Sequence, residues 1–270
     1  MTQSVKHADE STGLVLYPSQ GIMEACMNSI PDLRRRRLLK AAGAAAALSV
    51  LPLAGPFASA QGRKLKIGII GSGNVGSALG RTWAKAGHEV MFSSRNLDND
   101  KKLAADVGAN ARAGTPQEAA AFGEVLLFAV PYGALPDLGK TLAASIKGKV
   151  VLDACNPFPQ RDGDIAEQAR TKGAGLVSAE LLPGARIVRA FNSIGAARMG
   201  AAHEEPGRIG MPIAGDDKQA IEIASRLIRE IGYEPVLVGG LTMGKHLMPG
   251  TPLAGEHTPE EIRKTSAALK

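Results

Sequence analysis

The chain has 270 residues, 44% of them hydrophobic and 21% charged, a balance suited to a globular protein of one large or two small domains. Aromatics make up only 4%, too few for a platform that stacks nucleic-acid bases, and two cysteines, Cys26 and Cys155, are too few for a disulfide scaffold or a Cys-rich zinc site. The net charge is +6, of which residues 1–60 hold +2, so the rest of the chain offers no strong electrostatic footprint for DNA or a membrane surface.

Residues 1–60 read as an address. Arg34-Arg35-Arg36-Arg37 precedes an apolar stretch from Ala41 to Ala54, and Ala58-Ser59-Ala60 supplies the small residues of a cleavage site. The apolar run is broken by Pro52 and Gly55 and is too short to span a bilayer comfortably. Arg35-Arg36-Arg37-Leu38-Leu39-Lys40 resembles the twin-arginine export consensus, a route for folded proteins, with Met23 or Met27 as alternative starts. The expectation is a processed periplasmic protein without a stable membrane span, or a cytoplasmic one if the signal is not used. Cys26 would leave with the signal, so the mature chain could form no internal disulfide.

From Lys64 the pattern alternates between short apolar runs and amphipathic segments. Leu65–Ile70 reads as a buried strand, Asn74–Ala86 as a helix closed by Gly87, and Glu89–Ser93 as a second strand. Asp98 is the expected cap of a helix to Val107, and Thr115-Pro116-Gln117-Glu118 is a capping box with Pro at the first helical position. Val125–Val130 and Val150–Asp153 read as buried strands flanking a helix near Leu135–Ala144. Ile187–Ala190 and Met211–Ala214 read as further strands. Asp216–Ile231 is an amphipathic helix and Pro235–Val238 a last strand. Strands alternating with helices predict an α/β fold, a Rossmann-type doubly wound, mainly parallel sheet over residues 61–238. The Gly- and Pro-rich residues 239–270 are too few for a second domain and read as a cover or dimerisation segment, which leaves a homodimer open.

Gly71-Ser72-Gly73-Asn74-Val75-Gly76 follows the first strand directly and opens the first helix. Alone, the Gly-x-Gly-x-x-Gly pattern is weak; in this context it is a dinucleotide fingerprint. Gly71 allows the tight turn, Gly73 removes a Cβ where pyrophosphate approaches, and Gly76 lets helix and strand pack closely. Ser72, Asn74 and Val75 are the expected N–H donors to the phosphates. An NAD site usually carries an acid at the end of the second strand to bind the ribose 2′-hydroxyl. Here Ser93-Ser94-Arg95-Asn96 stands there instead, so NADP is the expected cofactor, its 2′-phosphate paired by Arg95 and Ser94. Lys101 and Lys102 at the next helix start read as solvated.

These residues, with Gly87-His88-Glu89-Val90, Val130-Pro131-Tyr132, Ala190-Phe191-Asn192-Ser193-Ile194 and Pro212-Ile213-Ala214-Gly215-Asp216-Asp217, resemble the NADPH-dependent reductases of coenzyme F420. The reductase domain of the six-transmembrane epithelial antigen ferric reductases is similar. The resemblance covers roughly residues 64–250. It implies that Val130, Pro131 and Tyr132 lie along the nicotinamide ribose and Asn156 near the nicotinamide. It also implies that Asn192, Ser193, Ile194 and Ala196 form the floor where two rings meet. Asn192 departs from the family pattern, in which deazaflavin-using members carry a histidine.

The function expected is hydride transfer between NADP(H) and a flavin-like, deazaflavin or other planar acceptor. Such transfer needs ring overlap more than acid–base chemistry, which fits the lack of an obvious triad or carboxylate pair. The alternatives are a non-catalytic NADP-binding redox sensor and an imine reductase of the pyrroline-5-carboxylate type. No metal-ligand spacing is found; His203, His246 and His257 are unpatterned, and His88, Cys155 and Asp216-Asp217 read as structural.

Overall fold

A computed structural model describes residues 62–269, so the export signal expected at 1–60 lies outside the described residues. Eight strands form one sheet: β1 (Lys66–Ile70), β2 (Glu89–Ser93), β3 (Ala111–Ala113), β4 (Val125–Phe128), β5 (Val150–Asp153), β6 (Arg186–Arg189), β7 (Gly210–Gly215) and β8 (Glu234–Gly239). Their spatial order is β3-β2-β1-β4-β5-β6-β7-β8. All neighbouring pairs are parallel except β6 and β7. β4 and β5 are buried at every position, as strands covered on both faces must be. Ile67, Ile69, Trp83 and Phe92 pack on one face, and Ile70, Leu126, Phe128 and Val151 on the other.

The α-helices among the described residues are α1 (Asn74–Lys85), α2 (Leu97–Val107), α3 (Pro116–Phe122), α4 (Leu135–Thr141) and α5 (Ala143–Ile146), followed by α6 (Pro159–Asp162), α7 (Asp164–Lys172), α8 (Ala174–Leu181), α9 (Lys218–Glu230) and α10 (Pro259–Ala267). The capping box at Thr115 is present, with Glu118 answering the Thr115 N–H at 2.7 Å. The same box at Thr258 starts α10.

Several sequence expectations need correction. Asn96, not Asp98, caps α2: its carbonyl oxygen accepts from the Asn99 N–H at 3.1 Å. α7 and α8 carry no clear helical stripe in the sequence. α8 is buried along Ala174, Gly175, Val177 and Ser178, and a Cβ at Gly175 would come 2.5 Å from the Leu241 carbonyl oxygen. β7 runs antiparallel to β6 because only short 3₁₀ turns, not a crossover helix, join them. Residues 240–269 fold back onto the outer strands, where Leu247, Leu253 and Ile262 bury against Val236 and Val238.

β1 pairs with β2 on one side and with β4 on the other, so the chain reverses direction across the sheet between them. That reversal opens a crevice at the carboxyl ends of these strands, where open α/β sheets bind ligands.

Candidate nucleotide site

Each of the three glycines after β1 answers to a different constraint. Gly71 has φ +102°, and a Cβ there would lie 2.4 Å from the Ala129 carbonyl oxygen. A Cβ on Gly76 would lie 2.0 Å from the Gly71 carbonyl oxygen. Protein packing alone therefore requires both. Gly73 is different: its φ is −69°, and a Cβ there would meet nothing within 4 Å. It opens α1 with no side-chain cap. The N–H groups of Asn74, Val75 and Gly76, at the start of the helix, have no carbonyl of their own helix to bond. An empty space above an uncapped helix start fits an anionic group.

Ser72 does not supply the donors expected of it. Its N–H bonds the Ser93 carbonyl at 3.0 Å, and its hydroxyl bonds the buried carboxylate of Asp100. Asp100 also accepts from Ser94 Oγ at 2.8 Å. An acid thus stands beside the end of β2 after all, supplied by α2. Arg95 is exposed and makes no ion pair among the described residues. Lys101 pairs with Asp98 at 3.3 Å.

Two adjoining clefts follow the strand ends. The first, of about 520 Å³, is lined by Ile70, Gly71, Gly73, Ser94, Arg95, Pro116, Val130, Pro131 and Leu138 and is mainly apolar. The second, of about 280 Å³, is lined by Asn74, Val75, Val130, Pro131, Asn156, Phe158, Arg161 and Ala196. Of the residues expected along a nicotinamide ribose, Val130 and Pro131 line both clefts. Tyr132 turns inward: its hydroxyl donates to the Ala174 carbonyl at 2.8 Å and lies 3.0 Å from Ser178 Oγ. Burial, with Asp153 nearby, pushes its phenol well above the usual range. Its side chain is therefore a core strut, not a ligand contact.

The far end of the second cleft is built from the ends of β5 and β6. Phe191 has φ +64°, uncommon for a bulky residue, and its ring packs edge-on between Trp83 and Tyr233. Asn192, Ser193 and Ile194 follow this turn, all buried and behind the lining of the cleft; of the expected ring floor only Ala196 lines it. Asn156 Nδ2 donates to the Asn192 carbonyl at 2.8 Å. Asn156 Oδ1, both polar side-chain atoms of Asn192 and Ser193 Oγ are buried without a protein partner. Buried polar groups are rarely left so, and this cluster suits a ligand with carbonyl and amide groups.

Charged residues that the sequence reading missed hold this end in place. Arg189 Nη1 donates to Asp153 Oδ2 at 2.6 Å and to the Cys155 carbonyl at 3.1 Å, with both side chains fully buried. Asp153 Oδ1 accepts from the Cys155 N–H at 2.9 Å. Burial and then Asp153 push the Cys155 thiol well above its usual value, so it is inert packing. Asp162 accepts from the N–H groups of Gly133 (3.2 Å) and Phe158 (3.0 Å), tying the loop after β4 to the loop after β5. Burial would raise its carboxyl, but Arg161 and those two N–H groups hold it below the ordinary value. Arg161 spans Asp162 and the Asn156 carbonyl and lies over the Phe158 ring at 5.0 Å. The signal for Asp153 and Arg189 was a charge inside an apolar strand run, which alone does not name its partner; Arg161 and Asp162 lie in the polar helix α6 and gave none. His88 is structural: Nδ1 accepts from the Leu65 N–H at 3.0 Å and Nε2 meets Glu230 at 2.6 Å. Asp217 caps α9, and Asp216 accepts from the Leu241 N–H at 3.0 Å.

Residues 66–157 match the family described as NADP oxidoreductase, coenzyme F420-dependent. An F420-dependent NADP reductase of Methanothermobacter thermautotrophicus is 28% identical over 205 residues, covering 70% of this chain and 87% of that protein. Metalloreductase STEAP3 of Rattus norvegicus is 30% identical over 185 residues, covering 67% of this chain but only 35% of that protein. A crystal structure of a hypothetical protein from Sinorhizobium meliloti superposes with a TM-score of 0.61 at 27% identity, covering 73% of this chain and 97% of that one. No helix among the described residues is long and apolar enough to cross a membrane.

Proposed function

We propose that this chain, whose residues 66–157 match the family described as NADP oxidoreductase, coenzyme F420-dependent, binds NADP(H) along the two adjoining clefts and passes hydride to a planar acceptor at the Asn156–Asn192 end. When bound, the nicotinamide carries the redox chemistry. The chain's own residues bind and orient. The first turn of α1 receives the pyrophosphate over Gly73, and Arg95 attracts the 2′-phosphate. Val130, Pro131 and Ala196 give the ring an apolar wall. Asn156, which lines the second cleft, with the unpartnered polar groups of Asn192 and Ser193 buried behind it, fixes a ring's carbonyl and carboxamide.

One observation carries the choice of a planar acceptor over an alcohol or a carbonyl. Among the residues lining the second cleft, Arg161 alone is ionisable, and its guanidinium is already held by Asp162 and the Asn156 carbonyl. Alcohol oxidation or carbonyl reduction needs a group that moves a proton at the reacting oxygen. Hydride passing between stacked rings needs distance and overlap. NADPH oxidation, followed by loss of reduced-nicotinamide absorbance, should proceed with a flavin, a quinone or a deazaflavin. Tight NADPH binding with no turnover over that panel would instead make the protein a binding module.

Export by the twin-arginine route belongs to the same proposal. Arg35-Arg36 with the Ala58-Ser59-Ala60 site would deliver a folded, nucleotide-loaded protein to the periplasm. Changing Arg35 and Arg36 to Lys should leave the protein unprocessed inside the cell. An unprocessed cytoplasmic wild type would refute it.

A further inference from the structure

Asp100 brings a carboxylate into the cleft that the glycine pattern does not announce. It lies in the first turn of α2, is 1% exposed, and takes hydrogen bonds from the hydroxyls of Ser72 and Ser94. The three side chains line one cavity of about 390 Å³ with Gly73 and Arg81. The larger cleft that holds Arg95 shares Gly73 and Ser94 with it. The cavity therefore adjoins the pyrophosphate loop at the end of β2, where the 2′ substituent of an adenosine ribose falls in this fold.

A serine hydroxyl has one proton and two lone pairs. Ser72 and Ser94 give their protons to Asp100, and Ser94 Oγ also accepts from the Asn96 N–H at 3.1 Å. What the two serines keep for a ligand is acceptor capacity. A ribose 2′-hydroxyl can donate to such a pocket. A 2′-phosphate is acceptor-rich and doubly charged or nearly so, and it meets a carboxylate and two hydroxyls already spent. Arg95 pulls the other way, with no ion pair of its own among the described residues, while Arg81 is paired with Asp106 at 3.5 Å.

We propose that Asp100 sets the nucleotide selectivity of this site: it admits NADH and penalises NADPH, so that the protein uses both cofactors where Ser94 and Arg95 alone would select NADP. This rests on the clefts being the nucleotide site, as proposed above. Asp100→Asn keeps the shape and removes the charge.

The test is titration calorimetry of both reduced nucleotides against wild type and Asp100→Asn, with unfolding midpoints measured alongside. Wild type should bind NADH and NADPH within about tenfold of each other, a factor small beside the several kcal/mol that like charges can impose. Asp100→Asn should tighten NADPH by at least about tenfold and move NADH by less than about threefold. The wild-type ratio needs no variant to fold. A wild type preferring NADPH by about a thousandfold, or a folded Asp100→Asn with an unchanged ratio, overturns the role of Asp100 while leaving the nucleotide site standing. A wild type that binds neither nucleotide overturns both.

Discussion

Replacing Gly73 by valine separates two demands that the glycine loop satisfies together. At Gly71 and Gly76 the protein itself leaves no room, since a Cβ would meet the Ala129 or Gly71 carbonyl oxygen at 2.4 or 2.0 Å. At Gly73 the backbone lies at φ −69°, open to any L-residue, and a Cβ touches nothing within 4 Å. Only a ligand would notice it. The folded protein should therefore lose little. Valine is a poorer helix N-cap than glycine by about 1 kcal/mol, roughly 2–4 °C in Tm for a domain of this size. Nucleotide binding should lose much more. A branched side chain over the helix start would displace at least two charge-assisted N–H contacts to phosphate. Each is worth about 1.5–3 kcal/mol, or roughly two to four decades in Kd together. Gly76→Ala is the control and should show the opposite order, with overpacking costing about 1–3 kcal/mol of stability. Titration calorimetry with NADPH and thermal unfolding by circular dichroism read the two quantities separately. A folded Gly73→Val protein that binds NADPH within about threefold of wild type would show that the phosphates do not lie over this loop.

Arg95→Asp should weaken NADPH by about 1.5–3 kcal/mol, one to two decades, and leave NADH no weaker; equal loss for both nucleotides would remove Arg95 from the 2′ position. Asp153→Ala leaves the buried Arg189 charge without its 2.6 Å partner and should cost about 3–5 kcal/mol in urea unfolding. Asp153→Leu with Arg189→Met should recover most of that loss, and a double variant as unstable as the single would refute the account. Arg186 grips Asp217 through two hydrogen bonds, at 2.8 and 2.6 Å, and holds its carboxyl at about 2, below the ordinary 3.8. A carboxyl depressed in the folded state stabilises above its unfolded pKa and loses that contribution as pH falls through the folded one. Wild-type Tm should therefore fall between pH 3.8 and about 2. Asp217→Asn should fall less over the same range; identical slopes would exclude the pair as a source of acid sensitivity.

Much of the nucleotide loop was legible in the residues because its constraints are local. A tight turn, a helix start and a close strand–helix approach are each set by a few neighbouring residues, and Gly71, Gly73 and Gly76 declare them directly. The same holds for Thr115 and Thr258, where the capping boxes close within one turn. Short apolar runs bounded by turn residues also placed β1, β2, β4 and β5, of which β4 and β5 are buried at every position. Tertiary structure decided whatever depends on residues distant in sequence. The sequence shows serines and an arginine at the end of β2, but not that α2 swings Asp100 back onto Ser72 and Ser94, 28 and 6 residues away. Nor does it show that Asp153 neutralises Arg189 across 36 residues, that Tyr132 turns into the core to bond Ala174, or that β7 runs antiparallel. Hydrogen bonds and charges act through space with no periodic trace along the chain, so their partners appear only once the backbone has brought them together.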